Sequence, residues 1–180
     1  MTPSLPGAPR DEGRLIALLG ALCLLLSAWE NAIPKPVPFL RLGLANVPVM
    51  LGLSKLRLRN FLLLILLKVT AQGFVSGALF SYIFAFSVAG TLCSALVMRL
   101  LFAVFVHNRP SPLVSYTGLS AAGSLANNGA QLILARHMLF GEGTRYIAPL
   151  LLFSGLITGV ILGIFTQIFT ERSRWFTSLP

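Results

Sequence analysis

The chain has 180 residues, of which 56% are hydrophobic and 11% charged, with a net charge of +9 and a mean hydropathy of +0.83. Soluble domains carry about 25% charged residues, so a chain this poor in charge cannot cover a water-facing surface, and lipid must be its solvent. At about 20 residues per spanning helix, the length allows about six spans in one domain.

Residues 1–14 are polar and proline-rich and read as a cytoplasmic tail. Residues 15–31 form the first predicted span. Arg10 and Arg14 ahead of an apolar core imitate a signal peptide, but no A-x-A cleavage site follows and further spans do, so the helix is read as retained. Pro34, Pro36 and Pro38 cannot continue a helix, and they predict an ordered outer loop. Residues 40–53 form a second, short span, and Lys55, Arg57 and Arg59 mark the cytoplasm after it. The third span covers residues 60–80 and the fourth 82–105, with Arg99, His107 and Arg109 at its inner end. Pro110 and Pro112 break the chain. The fifth span is 113–139, Gly141-Glu142-Gly143 reads as an outer turn, and the sixth is 146–170. The expected organisation is an all-α integral membrane protein: a tail at 1–14, a six-helix domain at 15–171 and a second cytoplasmic tail at 172–180.

The cations test this topology. Arg10, Arg14, Lys55, Arg57, Arg59, Arg99, Arg109, Arg172 and Arg174 fall on the proposed inner side, whereas Lys35, Arg41, Lys68, Arg136 and Arg145 fall outside or within the bilayer. Both termini in the cytoplasm of a bacterial inner membrane satisfy the positive-inside rule. No basic groove with interleaved aromatics is present, which argues against nucleic acid. Cys23 and Cys93 lie in apolar runs without a C-x-x-C, so metal and disulfide chemistry are not expected. The five acids are Asp11, Glu12, Glu30, Glu142 and Glu171, too few and too scattered for paired-carboxylate or magnesium chemistry. No P-loop, H-E-x-x-H or G-x-S-x-G occurs, so neither a cofactor nor an enzymatic activity is expected.

Polar groups in hydrocarbon are expensive and need a reason. Lys68, Gln72 and Ser76 recur every four residues on one helix face. Ser124, Asn127, Asn128 and Gln131 crowd the fifth span, and amides both donate and accept hydrogen bonds. The bland alternatives are a packed Lys and interhelical hydrogen-bond glue. Glu30 with Asn31 ends the first span, Lys35 and Arg41 flank the proline loop, and Asn46 opens the second span. These groups are expected to converge on an outward cavity in which Arg41 and Lys68, with Arg136 as a further candidate, outweigh Glu30, so that it is net positive and suits an anionic ligand. Anchoring at the interface is the alternative for Lys35, Arg136 and His137. Ala17, Gly20, Ala21 and Ala28 make a smooth stripe on the first span, and Gly155, Gly159 and Gly163 make another on the sixth. Internal packing is the simple reading of both, and a partner subunit is the sharper one for the first.

The segment Glu30 to Asn46, with its three prolines, Arg41 and Leu42-Gly43-Leu44-Ala45-Asn46, resembles the Gx transporter family, also labelled heptaprenyl diphosphate synthase component I. Asn127-Asn128-Gly129-Ala130-Gln131 resembles that family's His-Asn-x-Gly-Gln-like segment, with Asn127 in place of the His and Ala130 standing before Gln131. The family is similar to the substrate-binding S-components of energy-coupling-factor transporters. Those are six-helix bundles that dock through small residues of the first helix onto a coupling membrane subunit with two ATPases. The resemblance implies docking roles for Ala17 and Ala21, and pocket roles for Glu30, Arg41, Asn46, Asn128 and Gln131.

Three functions compete. An S-component explains the polar groups and the missing ATP motif. A partner in polyprenyl diphosphate or quinone metabolism would be non-catalytic, because prenyl synthases need D-D-x-x-D and the only Asp here is Asp11. A structural membrane protein leaves Lys68, Gln72 and the amides without a purpose.

Overall fold

With no water in hydrocarbon, backbone amides must satisfy one another, and a helix does so within one segment. A computed structural model of the protein describes residues 9–32, 43–77, 79–107 and 115–173. The proline loop with Lys35 and Arg41, the Pro110 and Pro112 break with Arg109, and Arg174 lie outside the described residues. The described chain forms helices α1 (Pro9–Ala32), α2 (Asn46–Lys55), α3 (Leu58–Val75), α4 (Tyr82–Leu101), α5 (Tyr116–Ala135) and α6 (Thr144–Arg172). A π-helical turn, Phe102–His107, extends α4. A second, Arg136–Phe140, and a 3-10 turn, Gly141–Gly143, connect α5 to α6.

Four stretches are long and apolar enough to cross a bilayer: Glu12–Glu30, Leu58–Val75, Phe84–Phe105 and Tyr116–Arg172. The last is 57 residues long and contains both α5 and α6, which fold back against each other. The protein is therefore a multi-pass helical membrane protein. Helix α1 begins at Pro9, inside the segment expected to be a tail, and Pro suits a first helical position.

The expected second span is corrected. Helix α2 has 10 residues, or about 15 Å at 1.5 Å per residue, half of a hydrocarbon core about 30 Å thick. Val47 through Leu53 are all buried, so α2 is apolar all round and sits in the core of the bundle, away from lipid. Leu19 and Cys23 of α1, Phe61, Leu64 and Ile65 of α3, and Met98 of α4 enclose it.

One end of the bundle, here the basal end, gathers the starts of α1, α3 and α5 and the ends of α2, α4 and α6. Arg57 pairs with Glu12 at 3.4 Å, and Asn60 donates to the same carboxylate. Thr117 donates to Gln167 Oε1 at 3.3 Å, which ties the start of α5 to the last turns of α6. Arg99 Nη1 donates to the Leu53 carbonyl at 2.7 Å, and its guanidinium lies 5.7 Å from the centre of the Phe61 ring. That contact caps the C-terminal half of α2 with a cation, favourable for both the open carbonyl and the helix dipole. Arg99→Met should lower stability by about 2 kcal/mol, the worth of a hydrogen bond to a charged group. A thermal melt in detergent checks this, and an unchanged midpoint would show that the cap contributes nothing.

Helices α5 and α6 meet along a glycine seam, the internal-packing reading of that stripe. A Cβ on Gly163 would lie 2.5 Å from the Thr117 Cα, and one on Gly159 would lie 2.4 Å from Ser124 Oγ. On α1, Gly20 is also internal, since a Cβ there would lie 2.2 Å from Leu67 Cδ2 of α3. Its expected place on an outward docking stripe is therefore corrected. Ala17, Ala21 and Ala28 are exposed, beside Leu25 and Trp29.

Candidate functional site: a polar cavity in the upper half of the bundle

The spacing of polar residues in apolar helices decides where they meet. In α3, Lys68 and Gln72 are one turn apart on the face turned to the bundle interior. Ser76 continues that row, but its hydroxyl donates to the Gln72 carbonyl at 2.8 Å and it does not line the cavity. In α5, Ser124, Asn127, Asn128 and Gln131 share a face toward α4 and α6. Glu30 projects from the last turns of α1, and Asn46 is the first residue of α2.

Glu30, Asn46, Lys68, Gln72, Asn127, Asn128 and Gln131 all line one cavity, and Ser124 lies beside them. Arg41, also expected there, lies outside the described residues. Ser87 and Thr91 of α4 and Thr158 of α6 complete the polar lining and were not singled out from the sequence. Counting its open mouth, the cleft encloses about 480 Å³, but only about 30 Å³ admits the centre of a water molecule. The side chains are thus drawn close together around it.

Each charge among the described residues of the lining is engaged. Glu30 is 2% exposed, and its carboxylate accepts the backbone N–H of Gly43 at 3.2 Å and of Leu44 at 3.1 Å. Gly43 has φ +76°, a left-handed conformation that favours glycine, and this turn presents both amides to the carboxylate. Glu30 thereby sits at the start of α2, where a negative charge complements the helix dipole. Lys68 is 4% exposed and its ammonium donates to Asn46 Oδ1.

The amides divide their capacity. Asn127 Nδ2 donates to Asn128 Oδ1 at 3.3 Å, and Asn128 Nδ2 donates to the Leu151 carbonyl of α6 at 2.7 Å. The second bond is interhelical glue, the bland reading of this cluster, while the first joins neighbours within α5. Gly155 makes room for Asn128, and Gly90 of α4 makes room for Asn127 and Gln131. Among the described residues, the side chains of Gln72, Thr91, Ser124 and Gln131 have no hydrogen-bond partner. Thr91 is 6% exposed as a residue, and it lines the cavity.

Of the cations expected to make the cavity positive, Lys68 lines it, Arg41 lies outside the described residues, and the place given to Arg136 is corrected. Among the described lining residues there is one carboxylate, Glu30, and one ammonium, Lys68. Arg136 does not reach the cavity. It is exposed at the upper end and pairs with Glu142 in the turn between α5 and α6. His137 is exposed beside it, and Lys35 lies outside the described residues. Among the described residues no three His, Cys, Asp or Glu side chains cluster as metal ligands would.

No curated protein and no solved structure matches this chain. Residues 19–169 match the family described as heptaprenyl diphosphate synthase component I, and that match takes in α2 to α5 whole, most of α1 and α6, and every cavity residue named above. The chain belongs to the heptaprenyl diphosphate synthase component I family.

Proposed function

We propose that this protein is the substrate-binding membrane subunit of an energy-coupling-factor-type uptake system. The observation that supports it is the convergence of polar side chains from α1, α2, α3, α4, α5 and α6 on one cavity in an otherwise apolar bundle. Such groups cost several kcal/mol each in hydrocarbon when unsatisfied, and a polar ligand would satisfy them. The basal end carries Arg14, Lys55, Arg57, Arg59, Arg99 and Arg172 against Glu12 and Glu171. The positive-inside rule then puts that end, and both termini, in the cytoplasm of a bacterial inner membrane and opens the cavity outward. The exposed face of α1 with Ala17, Ala21 and Ala28 is the proposed surface for a coupling membrane subunit that works with two ATPases.

The family's description favours a second reading, in which the protein is a non-catalytic membrane partner of a prenyl diphosphate synthase. Affinity-tagged protein co-expressed separately with a coupling module and with a prenyl synthase subunit decides between them. Uptake through this protein predicts a stable complex with the coupling module, abolished by Ala21→Trp without loss of folded protein. Retention of the synthase alone would overturn the transporter reading.

A further inference from the structure

The two charges described in the cavity lining are already spoken for, and several of its neutral groups, Gln72, Thr91 and Gln131 among them, are not. A helix N-terminus is a ready anion site because its N–H groups are open and its dipole is positive. The start of α2 faces this cavity through Gly43, Ala45 and Asn46. That terminus is occupied: Gly43 and Leu44 donate to Glu30, Asn46 donates to the Gly43 carbonyl at 2.8 Å, and Val47 to that of Leu44 at 3.1 Å. The chain's own carboxylate stands where an anionic ligand would sit. Lys68, the one described cation of the lining, donates to Asn46 and is balanced by Glu30. A second anion would be desolvated with no uncommitted counter-charge among the described residues. Gln72, Thr91 and Gln131, from three helices, retain donors and acceptors without partners among the described residues.

We infer that the cavity takes an uncharged ligand with carbonyl and N–H or O–H groups on more than one edge, bound by Gln72, Thr91 and Gln131. This inference rests on the ligand-binding reading above and replaces its anionic expectation. A site built to hydrogen-bond such edges discriminates strongly, because analogues lacking them leave buried polar groups unpaired.

Matched pairs differing by one phosphate test it: riboflavin and its 5′-phosphate, uridine and its monophosphate, pyridoxine and its phosphate. Binding to the full chain in mild detergent is measured by calorimetry. The expected result is that a neutral member binds at least tenfold tighter than its phosphate, and that Thr91→Val and Gln131→Leu each weaken it about tenfold. Tighter binding of a phosphorylated member would overturn the inference and leave the ligand-binding reading standing. Where no member binds, the charge of the compound co-purified with the protein decides, a neutral compound supporting the inference and an anion overturning it. No binding and no co-purified compound would overturn the ligand-binding reading as well.

Discussion

Replacing Glu30 by alanine is expected to cost about 3–5 kcal/mol, the worth of two hydrogen bonds to a charged acceptor at about 1.5–3 kcal/mol each. The change strands the N–H groups of Gly43 and Leu44 and removes the one carboxylate among the described residues of the lining. Apparent melting in detergent should fall by roughly 10 °C. Glu30→Gln keeps an acceptor for one amide and should lose about half as much. Lys68→Met in the Glu30→Gln background should restore part of the loss, since both charges are then gone. Equal melting of Glu30→Ala and the parent would show that the carboxylate does not anchor α2.

The second large effect lies at the glycine seam. Gly163→Val brings a branched side chain to a Cβ position 2.5 Å from the Thr117 Cα. A flexible side chain would yield there, but a backbone atom cannot, so α5 and α6 must separate. Overpacking of this kind costs about 3 kcal/mol or more. Gly129→Ala is the control, because nothing lies within 4 Å of a Cβ there. It should be neutral or stabilising by about 1 kcal/mol, the helix propensity difference. Similar melting for the two variants would contradict the seam.

How much of this was legible in the sequence follows from what lipid makes costly. Lys68, Gln72, Asn127, Asn128 and Gln131 stood out because amides and charges in apolar helices are rare, and the helical period placed them on inward faces. Ser87, Thr91 and Thr158 did not stand out, because hydroxyls in membrane helices commonly bond the preceding turn, as Thr158 does to the Ser154 carbonyl at 3.0 Å. The half-length of α2 was hidden for a different reason. The apolar run 40–53 is long enough to imitate a short span, and the tertiary contact of Glu30 with residues 43 and 44, just ahead of α2, cannot be read from it. Arg136 was misplaced because sequence gives a residue's depth but not its direction: it turns to Glu142 at the surface. Gly20 likewise shared its stripe with exposed alanines but faces Leu67.

The central claim is that a small polar molecule occupies the cavity between α3, α4 and α5. Native mass spectrometry of the purified protein in mild detergent, beside a Gln72→Leu, Gln131→Leu double variant that leaves both charges in place, tests it most directly. The expected spectrum shows one defined small-molecule adduct on the parent, absent from the variant while the variant remains folded. Lipid adducts alone on both proteins, or the same small molecule retained equally by both, would contradict the claim.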